Sequence, residues 1–279
     1  MNFIPKDYVT NIAIARRRAA NYFDASGKAL LRENNRIDAR KAWEYFQKEK
    51  QLFPSSQGID KLIYKALQAG KTRVLFEVKD NSQRILPKNF ISTFYNLNFN
   101  LLNRKWLQFS PRRESQWSYD YVVVLNIQQI DISPELIDRN SHVEKKNIQD
   151  GWRYLLDARG NVKKDSTGND IKVKRYKTIR CEVTNILMTK TAKISGSLEY
   201  YNNQSSQLIK SRPIGGLFTF DYRYATVYGN PLALKRGTMD FVRRGPGTFP
   251  SDIQMILGAQ GVLKSMVTNQ LRQDSRLFR

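Results

Sequence analysis

Thr72-Arg73-Val74-Leu75-Phe76-Glu77-Val78-Lys79, closed by the turn residues Asp80-Asn81-Ser82, decides how this chain is built. Before it, apolar residues recur every three or four positions. From it onward they alternate or cluster in short β-branched runs. That change of period predicts helices first and a sheet after. Upstream, residues 15–70 read as helices. Tyr22, Ser26, Gly27 and Leu30 share one face, and Gly27 lets a neighbouring helix come close. Asp38 is placed to cap a second helix bearing Ala39, Ala42, Phe46 and Phe53, which Pro54 stops. Ser56 is placed to start a third, with Leu62, Ile63, Ala66 and Leu67 on its face and Gly70 at its end.

Downstream, Pro87 fits the start of a helix with Phe90, Phe94, Leu97 and Leu101 as its apolar face. A long strand is expected from Tyr119 to Ile132, and a polar loop or short helix over 133–150. Two strands are expected between Ile171 and Tyr201, another from Leu217 to Tyr228, and turns at 157–161 and 165–170. Ser251 and Gln254 form a capping box for a last helix. Its expected apolar stripe is Ile253, Ile256, Leu257, Leu263, Met266, Val267 and Leu271. The fold class is therefore α+β: an N-terminal helical hairpin over 1–70, then a domain over 71–279 in which helices cover a largely antiparallel sheet.

Composition narrows the chemistry. One histidine (His142) and one cysteine (Cys181) serve 279 residues, which excludes a His-rich metal site and an intramolecular disulfide. Lys and Arg number 47 against 25 Asp and Glu, a net charge of +22 that favours anionic partners. The charge is spread: residues 1–70 hold 13 basic and 7 acidic side chains, close to the average of the whole. No apolar run reaches the roughly 18–20 residues needed to cross a bilayer. Met1 to Asp7 lack the apolar core of a signal peptide, which leaves two readings: a cytosolic protein, or a mature form without its export signal.

Candidate binding residues lie in the basic-aromatic stretch Arg104-Lys105-Trp106, Arg112-Arg113 and Trp117, where aromatic faces stack and guanidinium groups grip anions. The alternative is a surface connection with both indoles packed inward. Arg243 and Arg244, in Arg243-Arg244-Gly245-Pro246-Gly247, resemble a phosphate loop in composition but not in spacing, and read as a turn before the last helix. The acidic 165–170 segment lacks the ligand spacing of a calcium loop. His142 reads as a solvated loop residue and Cys181 as a small buried one. Asp221, Glu182 and Glu199 show no spacing that singles out a carboxylate pair. No catalytic residue, metal ligand or cofactor is expected.

Ala42, Phe46 and Pro54, with Gly27 and Leu30, are spaced like the two helices of a tetratricopeptide repeat. Glu49 stands where a small residue is expected, and the link through Arg32–Arg36 is about three residues longer than in the repeat. The succession of this hairpin, Ala66–Leu75, Tyr228–Leu234 and Phe249–Asp252 resembles cell-envelope lipoproteins of the Bacteroidota. The resemblance implies a periplasmic protein tethered to the outer membrane through a lipidated N-terminal cysteine, and it carries no catalytic residues. Cys181 lies in a β stretch, so the anchor would have to come from outside this sequence. Together these readings give a non-enzymatic periplasmic, outer-membrane-associated scaffold or assembly protein, which binds protein or an anionic envelope partner. The alternatives are a cytosolic nucleic-acid-binding protein using the basic-aromatic surface and, third, a carboxylate hydrolase acting on glycan.

Overall fold

In the computed structural model, which describes residues 7–278, the chain opens with three helices: α1 (Tyr8–Arg32), α2 (Arg36–Leu52) and α3 (Ile59–Gly70). Gly27 does what its position implied. A Cβ there would lie 2.6 Å from Cε1 of Phe46, so only glycine lets α1 and α2 close. Ala42, Phe46, Ile59 and Ala66 form the buried centre of the helical region. Four details of the sequence reading change. Tyr22 faces solvent and Phe53 lies beyond the end of its helix, half exposed. Asn35, not Asp38, caps α2 by accepting the Asp38 N–H at 2.9 Å. Ser56 does not start α3; its hydroxyl donates to the buried Glu49 carboxylate at 2.7 Å, and Gly58, at φ 82°, precedes the helix.

Six strands follow: β1 (Thr72–Asp80), β2 (Leu107–Ser110), β3 (Tyr121–Ile132), β4 (Leu136–Tyr154), β5 (Lys172–Asn202) and β6 (Leu208–Gly229). They form one mixed, mostly antiparallel sheet in the order β2-β1-β3-β5-β4, with β6 also paired to β5. β1 runs parallel to β2 and to β3, and β4 runs antiparallel to β5. Two helices complete the chain, α4 (Arg236–Arg244) and α5 (Asp252–Gln273). The architecture is α+β, as the periodicity indicated.

The region expected as a loop or short helix, 133–150, is instead most of β4. It escaped detection because nearly every side chain on it is exposed, so no alternation of apolar and polar residues marks it. Its order comes from the ladder with β5, which runs from Leu136 opposite Thr189 to Tyr154 opposite Lys172. The two strands expected over 171–201 are one. Gly196 does not break it but admits β3, since a Cβ there would sit 2.1 Å from the Asn126 carbonyl oxygen.

The helix expected after Pro87 is replaced by two 3-10 turns, Ser92–Asn96 and Phe99–Leu101. Asn89 has φ 66°, which a helix cannot continue through, and the Gln260 amide donates to the Phe90 carbonyl at 2.7 Å. Phe90, Phe94 and Leu97 are buried as expected, whereas Leu101 is exposed. The capping box of α5 forms in both directions: Ser251 N–H donates to Gln254 at 2.8 Å, and Gln254 N–H to Ser251 at 3.3 Å. The buried stripe of α5 is Met255, Ile256, Ala259, Leu263, Val267 and Leu271, while Ile253, Leu257 and Met266 are exposed.

The sequence separates 1–70 from 71–279, whereas compactness groups the chain into two units drawn from discontinuous segments. One comprises residues up to Gln129, Ile194–Gly216, and residues from Gln260 on. The second comprises Ile130–Lys193 and Leu217–Ala259. β5, β6 and α5 contribute segments to both. In the first unit Phe278 packs edge-on against Phe109 and Tyr121, with ring centroids 5.5 and 5.3 Å away. In the second, Ile179, Cys181 and Val183 of β5 pack with Ala225, Ala233 and Leu234. Cys181 is buried, as read from its neighbours.

Candidate functional site

Two sequence-distant pairs of cations meet in the first unit. Asn35 caps α2, so Arg36 and Arg40 stand one turn apart at its start. The chain leaves α3 at Gly70 and enters β1 at Thr72, which places Lys71 and Arg73 two residues apart at the mouth of the sheet. Gly70 is required there: a Cβ would lie 2.8 Å from the Trp106 ring and 3.0 Å from Cγ of Arg40. Asp120, just before β3, closes the far side. Beside them lies a cavity of about 740 Å³, lined by Arg36, Asp38, Lys71, Arg73, Asp120 and Gln204 among others, with Arg40 outside the lining.

The hydrogen bonding of this cavity leaves positive charge in excess. Arg36 Nη1 and Arg40 Nη2 donate to the same oxygen, Thr72 Oγ1, at 2.9 and 3.0 Å. Arg40 Nε donates to the Gly70 carbonyl at 2.9 Å. Arg36 also lies 3.4 Å from Asp120 Oδ2, and the same oxygen accepts the Arg73 backbone N–H at 2.8 Å. Among the described residues, no carboxylate comes within ion-pair distance of Arg40, Lys71 or Arg73. Three bases, Arg36, Lys71 and Arg73, thus line the cavity with two acids, Asp38 and Asp120, and Asp38 lies 3.7 Å from Lys41 on its own helix.

Burial lowers the proton affinity of Arg40, Lys71 and Arg73, and like-charge neighbours add to this for two of them, Arg36 beside Arg40 and Arg73 beside Lys71. Arg73 is 8 % exposed. Its guanidinium lies 4.0 Å from the centre of the Trp117 ring, and Nη2 donates to the Gln68 carbonyl at 2.9 Å. Its Nε is buried without a hydrogen-bond partner. A buried guanidinium with an unused donor, at a polar cavity lined by more bases than acids, is suited to receive a carboxylate, sulfate or phosphate oxygen.

The residues expected from the sequence fall in three places. Trp117 joins the cavity through Arg73. Trp106 stands behind it, under Arg40 at 5.5 Å, and with Trp43 it flanks Lys105, whose Nζ lies 3.1 Å from the centre of the Trp43 ring and 4.6 Å from that of Trp106. These indole faces already hold the protein's own cations. Arg104 is exposed nearby, and its backbone bridges to Leu107. Arg112 and Arg113 line a separate cavity of about 620 Å³, where Arg113 reaches Glu77 at 3.6 Å. Arg243 and Arg244 lie in the second unit. They end α4 instead of forming the expected turn, and Gly245 terminates that helix at φ 68°. Arg244 Nη1 donates to the Arg223 carbonyl at 3.2 Å. The sequence reading missed Arg36, Arg40, Lys71, Arg73 and Asp120. The signal of the four cations is the close pairing of like charges at i, i+4 on α2 and at i, i+2 across the entry to β1.

His142 is on β4, not in a loop, half exposed beside Glu144 at 3.3 Å. Glu144 is buried and accepts the Lys235 N–H at 2.6 Å and the Thr238 hydroxyl at 2.7 Å. Burial acts to raise its carboxyl, and these bonds outweigh that and hold it below the ordinary glutamate value. Asp165 accepts the Thr167 and Asn169 N–H groups at 2.9 and 3.0 Å, which makes its segment a turn. Among the described residues, no three of His, Cys, Asp and Glu converge as metal ligands. None of the described helices is long and apolar enough to cross a membrane.

No family model matches the chain, and no curated protein matches it. Distantly similar solved structures include the following two. One is a neuraminyllactose-binding hemagglutinin homolog from Helicobacter pylori, 12 % identical with a TM-score of 0.33, covering 73 % of this chain and 84 % of that one. Another is a minor lipoprotein from Acinetobacter baumannii, 10 % identical with a TM-score of 0.24, covering 74 % and 92 %. Likeness at this level carries no argument about function.

Proposed function

We propose that this is a non-enzymatic, envelope-associated binding or assembly protein of the periplasm that seats an anionic group of its partner in the Arg36–Lys71–Arg73 cavity. The observation that carries the binding reading is the excess of cations there, Arg36, Lys71 and Arg73 against Asp120 and an Asp38 that lies beside Lys41, together with the unused Nε of Arg73. Each like-charge contact is unfavourable alone and is relieved when an anion enters. Asp120 is engaged by Arg36 and the Arg73 N–H, which leaves it poorly placed to act as a general base. The envelope reading draws on the sequence resemblance at Ala66–Leu75, Tyr228–Leu234 and Phe249–Asp252.

Two measurements test this. Calorimetric titration with inorganic phosphate and citrate should give saturable binding to the wild type, weakened at least tenfold in Lys71→Gln/Arg73→Gln. Equal binding by that variant, with its fold intact by circular dichroism, removes the cavity from the reading. Fractionation of cells producing the native full-length protein should place it with the outer membrane, and recovery in the cytosol removes the envelope reading. Duplex DNA binding that falls steeply with salt, in a protein that ignores the small anions, would favour the nucleic-acid alternative.

A further inference from the structure

In the second unit, β4 and β5 extend past their buried base as a two-stranded ribbon. Residues 151–170 are almost wholly exposed, and the ribbon ends in the paired turns at 157–161 and 165–169. The ladder sets Gln149 opposite Tyr176, Trp152 opposite Lys174, and Tyr154 opposite Lys172. Beyond it, Leu156 bridges to Val162. With a side-chain period of two, Tyr176, Trp152, Tyr154, Leu156 and Val162 fall on one face, together with Lys172 and Lys174. Ile179 and Cys181, which face the core, have the opposite parity on β5, so the stripe is on the ribbon's outer face.

A stripe of this kind has a cost in water. Trp152 is 56 % exposed, Tyr176 62 % and Leu156 54 %. Clustered exposed apolar side chains mark a surface that meets something. The charge says what kind of surface. From Gly151 to Lys177 there are eight Lys and Arg against three Asp. Two of the lysines lie against the rings themselves: Lys172 Nζ is 5.2 Å from the Tyr154 centre and Lys174 Nζ 5.9 Å from that of Trp152. Aromatic rings at headgroup depth, aliphatic side chains just beyond them and lysines reaching back to phosphate form the pattern of an interfacial anchor.

We propose that this ribbon docks on the surface of a bilayer containing anionic phospholipid, with Leu156 and Val162 entering the acyl boundary and Trp152, Tyr154 and Tyr176 at the headgroups. The aliphatic pair favours lipid over nucleic acid, whose bases and phosphates offer nothing for Leu and Val to enter. The proposal is independent of the cavity in the first unit.

The test is co-sedimentation of the full-length chain with vesicles of phosphatidylcholine alone or with about a third phosphatidylglycerol. Binding should require the anionic lipid. Lys172→Glu/Lys174→Glu should weaken it by about 30-fold or more, since each of the two lost basic side chains contributes about one kcal/mol near an anionic surface and the new carboxylates are repelled by it. The same charge change on α3, Lys61→Glu/Lys65→Glu, should weaken it far less. Trp152→Phe should still bind but lose the blue shift of indole emission that the wild type shows on vesicles. The proposal is overturned by binding indifferent to anionic lipid, by equal losses in the two charge-reversed variants, or by a blue shift that survives Trp152→Phe. Binding to duplex DNA but not vesicles, abolished by Lys172→Glu/Lys174→Glu, would make the ribbon a nucleic-acid arm and likewise overturn it.

Discussion

Replacing Asp120 by Asn should move stability and anion affinity in opposite directions. The substitution keeps the shape and leaves an oxygen for the Arg73 N–H, so what it removes is one of the two negative charges lining the cavity, the other being Asp38. The lost pair with Arg36 spans 3.4 Å, with the two side chains 35 % and 21 % exposed. Solvent screens such a pair, and its loss should cost about 1 kcal/mol of stability. The effect on a bound anion follows from the cavity's size. About 740 Å³ corresponds to a radius of about 6 Å, so a monoanion at its centre sits about that far from Asp120. At 6 Å, repulsion between unit charges is about 0.7 kcal/mol in a water-like medium and about 2.8 kcal/mol at an effective dielectric of about 20. Phosphate should therefore bind Asp120→Asn between about 3-fold and about 100-fold more tightly than wild type. Calorimetry gives the affinity and urea unfolding the stability. A variant that loses affinity in step with stability would refute the reasoning, because Asp120 would then be holding the site together and not opposing its ligand.

Gly196→Ala should disrupt the β3–β5 contact, since its Cβ would lie 2.1 Å from a backbone oxygen that cannot turn away. The loss should exceed the usual 1–3 kcal/mol or so of overpacking, and a melting temperature within a few degrees of wild type would contradict it. Glu144→Leu removes the acceptor of the Lys235 N–H and of the Thr238 hydroxyl and leaves the N–H unpaired. We expect a loss of about 2–4 kcal/mol with faster hydrogen exchange at the Lys235 amide, and unchanged exchange there would refute it. Asp274 is buried and accepts from Tyr200 and Lys210 at 2.8 Å each. Burial acts to raise its carboxyl, but the bonds from Lys210, Gln270 and Tyr200 prevail and hold it below the usual aspartate value. Its stabilisation is thus present above the unfolded value near about 3.9 and is lost as pH falls through the folded value. The urea-midpoint gap between wild type and Asp274→Asn should be full at neutral pH and close in acid; a gap constant with pH would argue against this.

The parts of the fold that bury apolar side chains in a regular period were legible. β1 is announced by Val74, Leu75 and Phe76, α5 by its capping box, and the α1–α2 contact by Gly27. β4 was not, because its order comes from hydrogen bonds to β5 and from one buried acid, Glu144, which no hydrophobic pattern records. The two 3-10 turns after Pro87 were missed for a related reason: the Gln260 side chain, 170 residues away, occupies the Phe90 carbonyl. The candidate site shows the same division. The basic-aromatic stretch was visible as composition, yet its indoles are partly engaged by Lys105, Arg40 and Arg73. Arg36 and Asp120, far apart in sequence, become neighbours only when the end of α3 leads into β1 beside β3.

The most direct measurement follows the side-chain Nε–H resonances of the arginines by NMR during titration with phosphate. Arg73 and Arg36 should shift together along one saturable curve, with the buried, unpartnered Nε of Arg73 moving furthest, while Arg16, Arg139 and Arg159 stay still. Small, parallel, non-saturating shifts across all the arginines would mean that the positive charge of this chain is a diffuse coat and that the cavity seats no anion.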